Sequence, residues 1–95
     1  MILRMPFAVL EIQPTPNPNA MKFVLNAPIS QSTLSFLNPA SAADYPLAKQ
    51  LFSIPGVTSL LFLGDFLTVN KSADVKWKPI TAAVTKAIST AAAFQ

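Results

Sequence analysis

The chain has 95 residues, of which 52% are hydrophobic and only 12% charged, and seven basic residues against four acidic ones give a net charge of +3. It contains no cysteine and no histidine, which excludes disulfides, thiolate metal or cluster ligation, a cysteine nucleophile and an imidazole general base within this chain. Residues 1–95 are long enough to form one domain with its own core.

The opening Met1-Ile-Leu-Arg-Met-Pro6 lacks the features of a signal peptide, because Glu11 interrupts the apolar run before it reaches an adequate length. The most hydrophobic window, Gln50 to Gly64, contains Pro55 and Gly56 and is too short to span a bilayer. A soluble, cytoplasmic protein with no membrane partner is therefore expected. Phe7–Gln13 reads as a first strand, with Val9, Glu11 and Gln13 on one face and Ala8, Leu10 and Ile12 on the other.

The next stretch organises the rest of the chain. Pro14, Thr15, Pro16, Asn17, Pro18 and Asn19 alternate proline with small polar residues. Each proline fixes its own φ, lacks an N–H and pushes the residue before it towards extended geometry. Such a loop has few conformers and loses little entropy on folding. It offers amides and a hydroxyl but no acid or base, so it reads as a presenting surface. Thr15, Asn17 and Asn19 can serve a partner or bond their own backbone in turn motifs. The second use is favoured for Asn19.

Met21–Leu25 reads as strand two, with Lys22 beside the loop, and Asn26-Ala-Pro28 ends it. Ser32–Leu37 reads as strand three, with Leu34 and Phe36 on one side, and Asn38–Asp44 as a loop of small residues. A short helix fits Asp44–Ser53: Pro46 suits a first turn, and Leu47, Leu51 and Ile54 share a face. Ile54-Pro-Gly-Val57 terminates it. Thr58–Leu63 is apolar on both faces, as a central strand requires. Gly64-Asp65 reads as a two-residue hairpin turn, and Phe66–Asn70 returns antiparallel. After a polar linker, a last helix carries Trp77, Ile80, Val84, Ala87, Ile88 and Ala91 on one stripe, with Pro79 in its first turn. The expected fold is α+β, a two-layer antiparallel β-sheet with two helices packed on one face, in the order β-β-β-α-β-β-α.

The bases are scattered along the chain, and only Lys71, Lys76 and Lys78 cluster, so no nucleic-acid partner is expected. The four acids Glu11, Asp44, Asp65 and Asp74 have no spacing that suggests a carboxylate dyad or a metal cage, and no cofactor is expected. A small enzyme or ligand-binding protein using Lys22, Asp65 and Asn70 is the alternative reading.

The motifs resemble one family. Pro14-Thr-Pro-Asn-Pro-Asn-Ala-Met-Lys-Phe23, Tyr45-Pro-Leu-Ala-Lys49, Leu51-Phe-Ser-Ile-Pro-Gly-Val57, Gly64-Asp-Phe-Leu-Thr-Val-Asn-Lys71 and Val75-Lys-Trp77 resemble the N-terminal domain of Nfu, the NifU-like iron–sulfur cluster scaffold proteins. The hairpin turn looks one residue shorter than is usual there, and the stretch from Trp77 to Ile80 looks compressed. In that family the cluster-binding Cys-x-x-Cys lies in a separate C-terminal domain. The resemblance therefore implies a stand-alone accessory domain that does not bind the cluster. Its partner would be an iron–sulfur scaffold or client protein. Pro14, Thr15, Pro16, Asn17, Pro18, Asn19 and Lys22 would form the contact.

Overall fold

The computed structural model describes residues 7–90. Strands β1 (Val9–Pro14), β2 (Ala20–Leu25) and β3 (Ser30–Phe36) come first, followed by a 3-10 turn (Pro39–Ala42) and helix α1 (Pro46–Phe52). Strands β4 (Val57–Gly64) and β5 (Phe66–Lys71) and helix α2 (Trp77–Thr90) complete the order. The five strands form one sheet in the order β1-β2-β5-β4-β3, every neighbouring pair antiparallel. This is the expected α+β architecture.

Register shows which side of the sheet faces the helices. Directly paired residues share a face. Ile12 pairs with Phe23, Phe23 with Leu67, and Leu67 with Phe62, while Leu60 joins Val69 to Phe36. Apart from Ile12, which is 40% exposed on edge strand β1, these rows form one core with Leu47, Ala48 and Leu51 of α1 and Ile80, Val84, Ala87 and Ile88 of α2. Both helices thus cover the same face. The opposite face carries Glu11–Val24–Phe66–Leu63 and Gln13–Lys22–Thr68–Leu61–Ser35. Strand β4 is internal, with Leu60 and Phe62 buried on the helix-covered face and Leu61 and Leu63 half-buried on the other. Strand β3 is an edge, and its Ser30-Gln-Ser-Thr33 run blunts that edge with polar side chains.

One sequence expectation is corrected in β1. The strand runs from Val9 to Pro14 rather than from Phe7, and its pairing shifts between Val9 and Glu11. The bulge adds a residue, so side chains beyond it change face. Val9 pairs with Leu25 and packs on the core, whereas Glu11 and Gln13 lie on the other side. Leu10, at the bulge, is 67% exposed.

Local chemistry accounts for the remaining ends. The Asn38 side chain accepts the Ser41 N–H at 3.0 Å, capping a 3-10 turn in the stretch expected to be only a loop. Tyr45 is the N-cap of α1 and Pro46 its first residue, so the helix is shorter at both ends than Asp44–Ser53. Strand β3 begins two residues earlier than expected. Ala91, placed on the last helical stripe, and Arg4 lie outside the described residues.

Leu63 pairs with Phe66, so Gly64-Asp65 is a two-residue hairpin loop. Gly64 has φ +58 and Asp65 a negative φ, the pattern of a type II′ turn. Leu25 N–H donates to Asp65 O and Ile29 N–H to Gly64 O, both at 2.7 Å, fastening the tip to its flanks. A Cβ at Gly64 meets nothing within 4 Å, so only backbone strain opposes a side chain there. Gly64→Val is expected to cost about 1 kcal/mol and Asp65→Asn almost nothing, read as shifts in the melting midpoint. Equal midpoints for Gly64→Val and the parent would contradict the turn type.

Candidate functional site

The connection from β1 to β2 is the proline–asparagine loop. Pro14 closes β1 opposite Met21, and Ala20 opens β2 opposite Asn70. Inside the loop, Thr15 Oγ1 accepts the Asn17 N–H at 3.1 Å and can donate to Asn17 O at 2.9 Å or Ala20 O at 3.0 Å. Asn17 Oδ1 accepts the Asn19 N–H at 2.9 Å, an Asx-type turn. Ala20 N–H returns to Asn17 O at 3.0 Å.

Three further bonds tie the loop to distant parts of the chain. Lys71 N–H donates to Asn19 O at 2.8 Å, and Lys71 Nζ donates to Asn19 Oδ1 at 3.1 Å. Trp77 Nε1–H donates to Pro18 O at 2.9 Å. The Lys71 ammonium also lies 5.5 Å from the Trp77 ring centroid, within cation–π range. Trp77, expected in the core stripe of α2, is half-buried: it packs against the core and also pins the loop. Neither tie is visible in the sequence, because their partners are 52 and 59 residues apart.

The consequence is a loop held in one shape. The Thr15 hydroxyl and the Asn17 and Asn19 side-chain oxygens bond within the protein. Pro16, Asn17 and Pro18 are exposed, so the outward surface is two proline rings and an amide nitrogen. That surface offers shape and an amide donor, with no proton-transfer group or nucleophile. Lys22 does not bond to the loop. It lies on the helix-free face opposite Thr68, with its ammonium 4.2 Å from the Phe66 ring centroid.

Behind the loop, the Ser72 hydroxyl donates to the Asp74 carboxylate. That bond, the Asp74 backbone N–H and nearby Lys71 hold the Asp74 pKa below the usual carboxylate range.

The residues of the enzyme alternative do not converge. Asn70 pairs with Ala20 beside the loop, whereas Asp65 sits in the hairpin at the other end of β5. They stand five positions apart along the strand, about 17 Å. A cavity of about 360 Å³ opens among Phe7, Ile29, Leu34, Tyr45, Leu47 and Phe62, and Lys22, Asp65 and Asn70 are absent from its lining. Among the described residues, no three metal-ligating side chains come together, and no helix is long and apolar enough to cross a membrane.

Comparison with known proteins adds the family. The family described as scaffold protein Nfu/NifU N terminal matches residues 10–94. The human NFU1 iron-sulfur cluster scaffold homolog, mitochondrial, is 46% identical over 66 residues, covering 68% of this chain and 26% of that protein. The Arabidopsis thaliana NifU-like protein 4, mitochondrial, is 42% identical over 69 residues, covering 72% and 24%. The chain thus spans about a quarter of the length of these curated relatives. A NifU-like protein from Saccharomyces cerevisiae superimposes with a TM-score of 0.75 at 28% identity, covering 90% of this chain and 76% of that one. The expected cytoplasmic placement is overturned by these relatives, since the human and Arabidopsis proteins are named as mitochondrial.

Proposed function

The chain belongs to the Nfu/NifU N-terminal family, and on that premise we propose that it is a non-catalytic protein-interaction module serving iron–sulfur cluster assembly or delivery. Residues 1–95 are a single such domain. Pro14, Thr15, Pro16, Asn17, Pro18 and Asn19 form the main contact, with Lys22 on the adjoining sheet face. The partner is an iron–sulfur scaffold or client protein, which itself holds the cluster as cargo. Following the relatives, the setting is mitochondrial.

The observation that carries this reading is the rigidity of the loop. Three prolines restrict it, and bonds from Lys71 and Trp77 fix it, while Pro16, Asn17 and Pro18 stay exposed. A preorganised surface loses little entropy when a partner docks. The ligand chemistry agrees. An iron–sulfur cluster needs soft anionic sulfur, usually four thiolates, and this chain has only the thioethers of three methionines.

The test is capture of partners on the tagged chain at native expression, beside the Pro16→Ala/Pro18→Ala variant. The parent is expected to recover a cysteine-bearing protein of cluster assembly, and the variant at least ~10-fold less of it. The purified chain alone is expected to stay colourless after anaerobic treatment with iron and sulfide. Capture of no such protein, or a stable chromophore stoichiometric with this chain, contradicts the proposal.

A further inference from the structure

The three lysines that cluster in the sequence, Lys71, Lys76 and Lys78, stand at the end of the sheet that carries the proline–asparagine loop. Lys71 ends β5 and bonds Asn19 of the loop. Lys76 and Lys78 flank Trp77, whose indole bonds Pro18, and both lysines are exposed. Lys22 begins near the loop on β2, but its ammonium reaches over Phe66 towards the hairpin end. Three of the six lysines, Lys71, Lys76 and Lys78, therefore stand at the loop end; Lys49 lies on α1 and Lys86 well along α2.

Three of the four acids lie towards the opposite end. Asp65 is in the hairpin turn. Glu11 shares a row with Val24 and Phe66, next to that turn. Asp44 borders the cavity with Phe7 and Ile29, and Ile29 N–H bonds Gly64 O. Asp74 is the remaining acid, at the loop end, and its carboxylate accepts the Ser72 hydroxyl. The fold thus separates charge along the sheet, with the exposed prolines on the positive side.

We infer that the loop end is a docking surface for an acidic segment of a partner protein, with Lys76 and Lys78 supplying the charge contacts and Pro16 and Pro18 the apolar ones. The inference rests on the proposed function and names the chemistry of its partner. Lysines grouped within a Debye length act together on an incoming segment, steer its approach and lose that effect as salt rises. A single-stranded nucleic acid fits less well. Its bases need open aromatic faces for stacking, and Trp77 is half-buried with its indole N–H bonded to the loop and Lys71 over its ring.

The experiment uses the intact ¹⁵N-labelled chain titrated with a glutamate peptide of ~10 residues, and separately with a thymidylate oligonucleotide of the same length. The peptide is expected to move the Trp77 Nε1–H, Asn17 and Lys76 signals and leave Asp65 in place. Its affinity should fall ~10-fold between about 50 and 200 mM salt. Lys76→Glu/Lys78→Glu should weaken binding at least ~10-fold, whereas Lys49→Glu/Lys86→Glu, the same charge change elsewhere, should weaken it less than ~3-fold. All four positions are exposed, and unchanged melting of both double variants confirms that they fold.

No shift at the loop end, equal losses in the two double variants, or tighter binding of the oligonucleotide overturns the inference. Partner capture separates this result from the broader reading. If Pro16→Ala/Pro18→Ala loses the native partner while Lys76→Glu/Lys78→Glu keeps it, the acidic-partner inference fails and the proposed function stands.

Discussion

Gly56→Ala is expected to destabilise the protein by about 3 kcal/mol, from backbone strain and steric overlap acting together. Gly56 has φ +97, outside the range that alanine adopts without strain. A Cβ built there comes within 2.9 Å of Val75 Cγ1 and 3.1 Å of both Cβ and Cγ2 of the same residue. The branched Val75 side chain has few rotamers with which to give way. The backbone is also held, since Ser72 N–H donates to Gly56 O at 2.8 Å. For a domain of this size that loss lowers the melting midpoint by roughly 12–20 °C. Gly56→Ala/Val75→Ala should recover only the steric part relative to Val75→Ala alone, because the φ strain remains. A melting midpoint within ~3 °C of the parent for Gly56→Ala would show that Val75 does not close over the turn. The same contact explains why Ile54-Pro-Gly-Val57 does more than stop a helix: it lets the chain pass beneath the segment that leads into α2.

Phe23→Ala is expected to cost about 4 kcal/mol, the range for truncating a buried aromatic to alanine. Phe23 is 0% exposed and sits mid-sheet between Ile12 and Leu67, under the helices. Its loss leaves a void lined by a packed core and takes a large share of the roughly 5–15 kcal/mol a domain commands. The comparison variant is Phe66→Ala. Phe66 is half-buried on the helix-free face, where it pairs with Val24 and carries the Lys22 ammonium, and about 1 kcal/mol is expected there. Denaturant midpoints of the two variants measure the difference. Equal costs would mean that both faces of the sheet are covered to the same degree. Because β1 and β2 carry the loop between them, Phe23→Ala should also loosen Pro14–Asn19, whereas Phe66→Ala should leave it ordered.

Much of the fold was legible because secondary structure is written over short stretches. The alternation of Phe23 and Leu25 with Lys22 and Val24, the Gly64-Asp65 turn, and the stripe Ile80, Val84, Ala87 and Ile88 each lie within a few residues, and each element forms where expected. The bulge at Leu10 was not legible, since a bulge is a property of two paired strands and the partner strand cannot be seen from β1 alone.

For the site, the sequence by itself determined the stiffness of Pro14–Asn19, because each proline restricts φ and the residue before it whatever surrounds them. It also determined that no thiolate or imidazole is present to ligate or catalyse. Only the tertiary structure decided which way the loop's polar groups turn, that Trp77 and Lys71 hold it, and that the Lys71, Lys76 and Lys78 cluster stands beside it. The physical reason is distance along the chain. Local dihedral preferences act between neighbours, but the bonds from Lys71 to Asn19 and from Trp77 to Pro18 exist only once burial of the apolar face has set β5 beside β2 and started α2 at that end of the sheet.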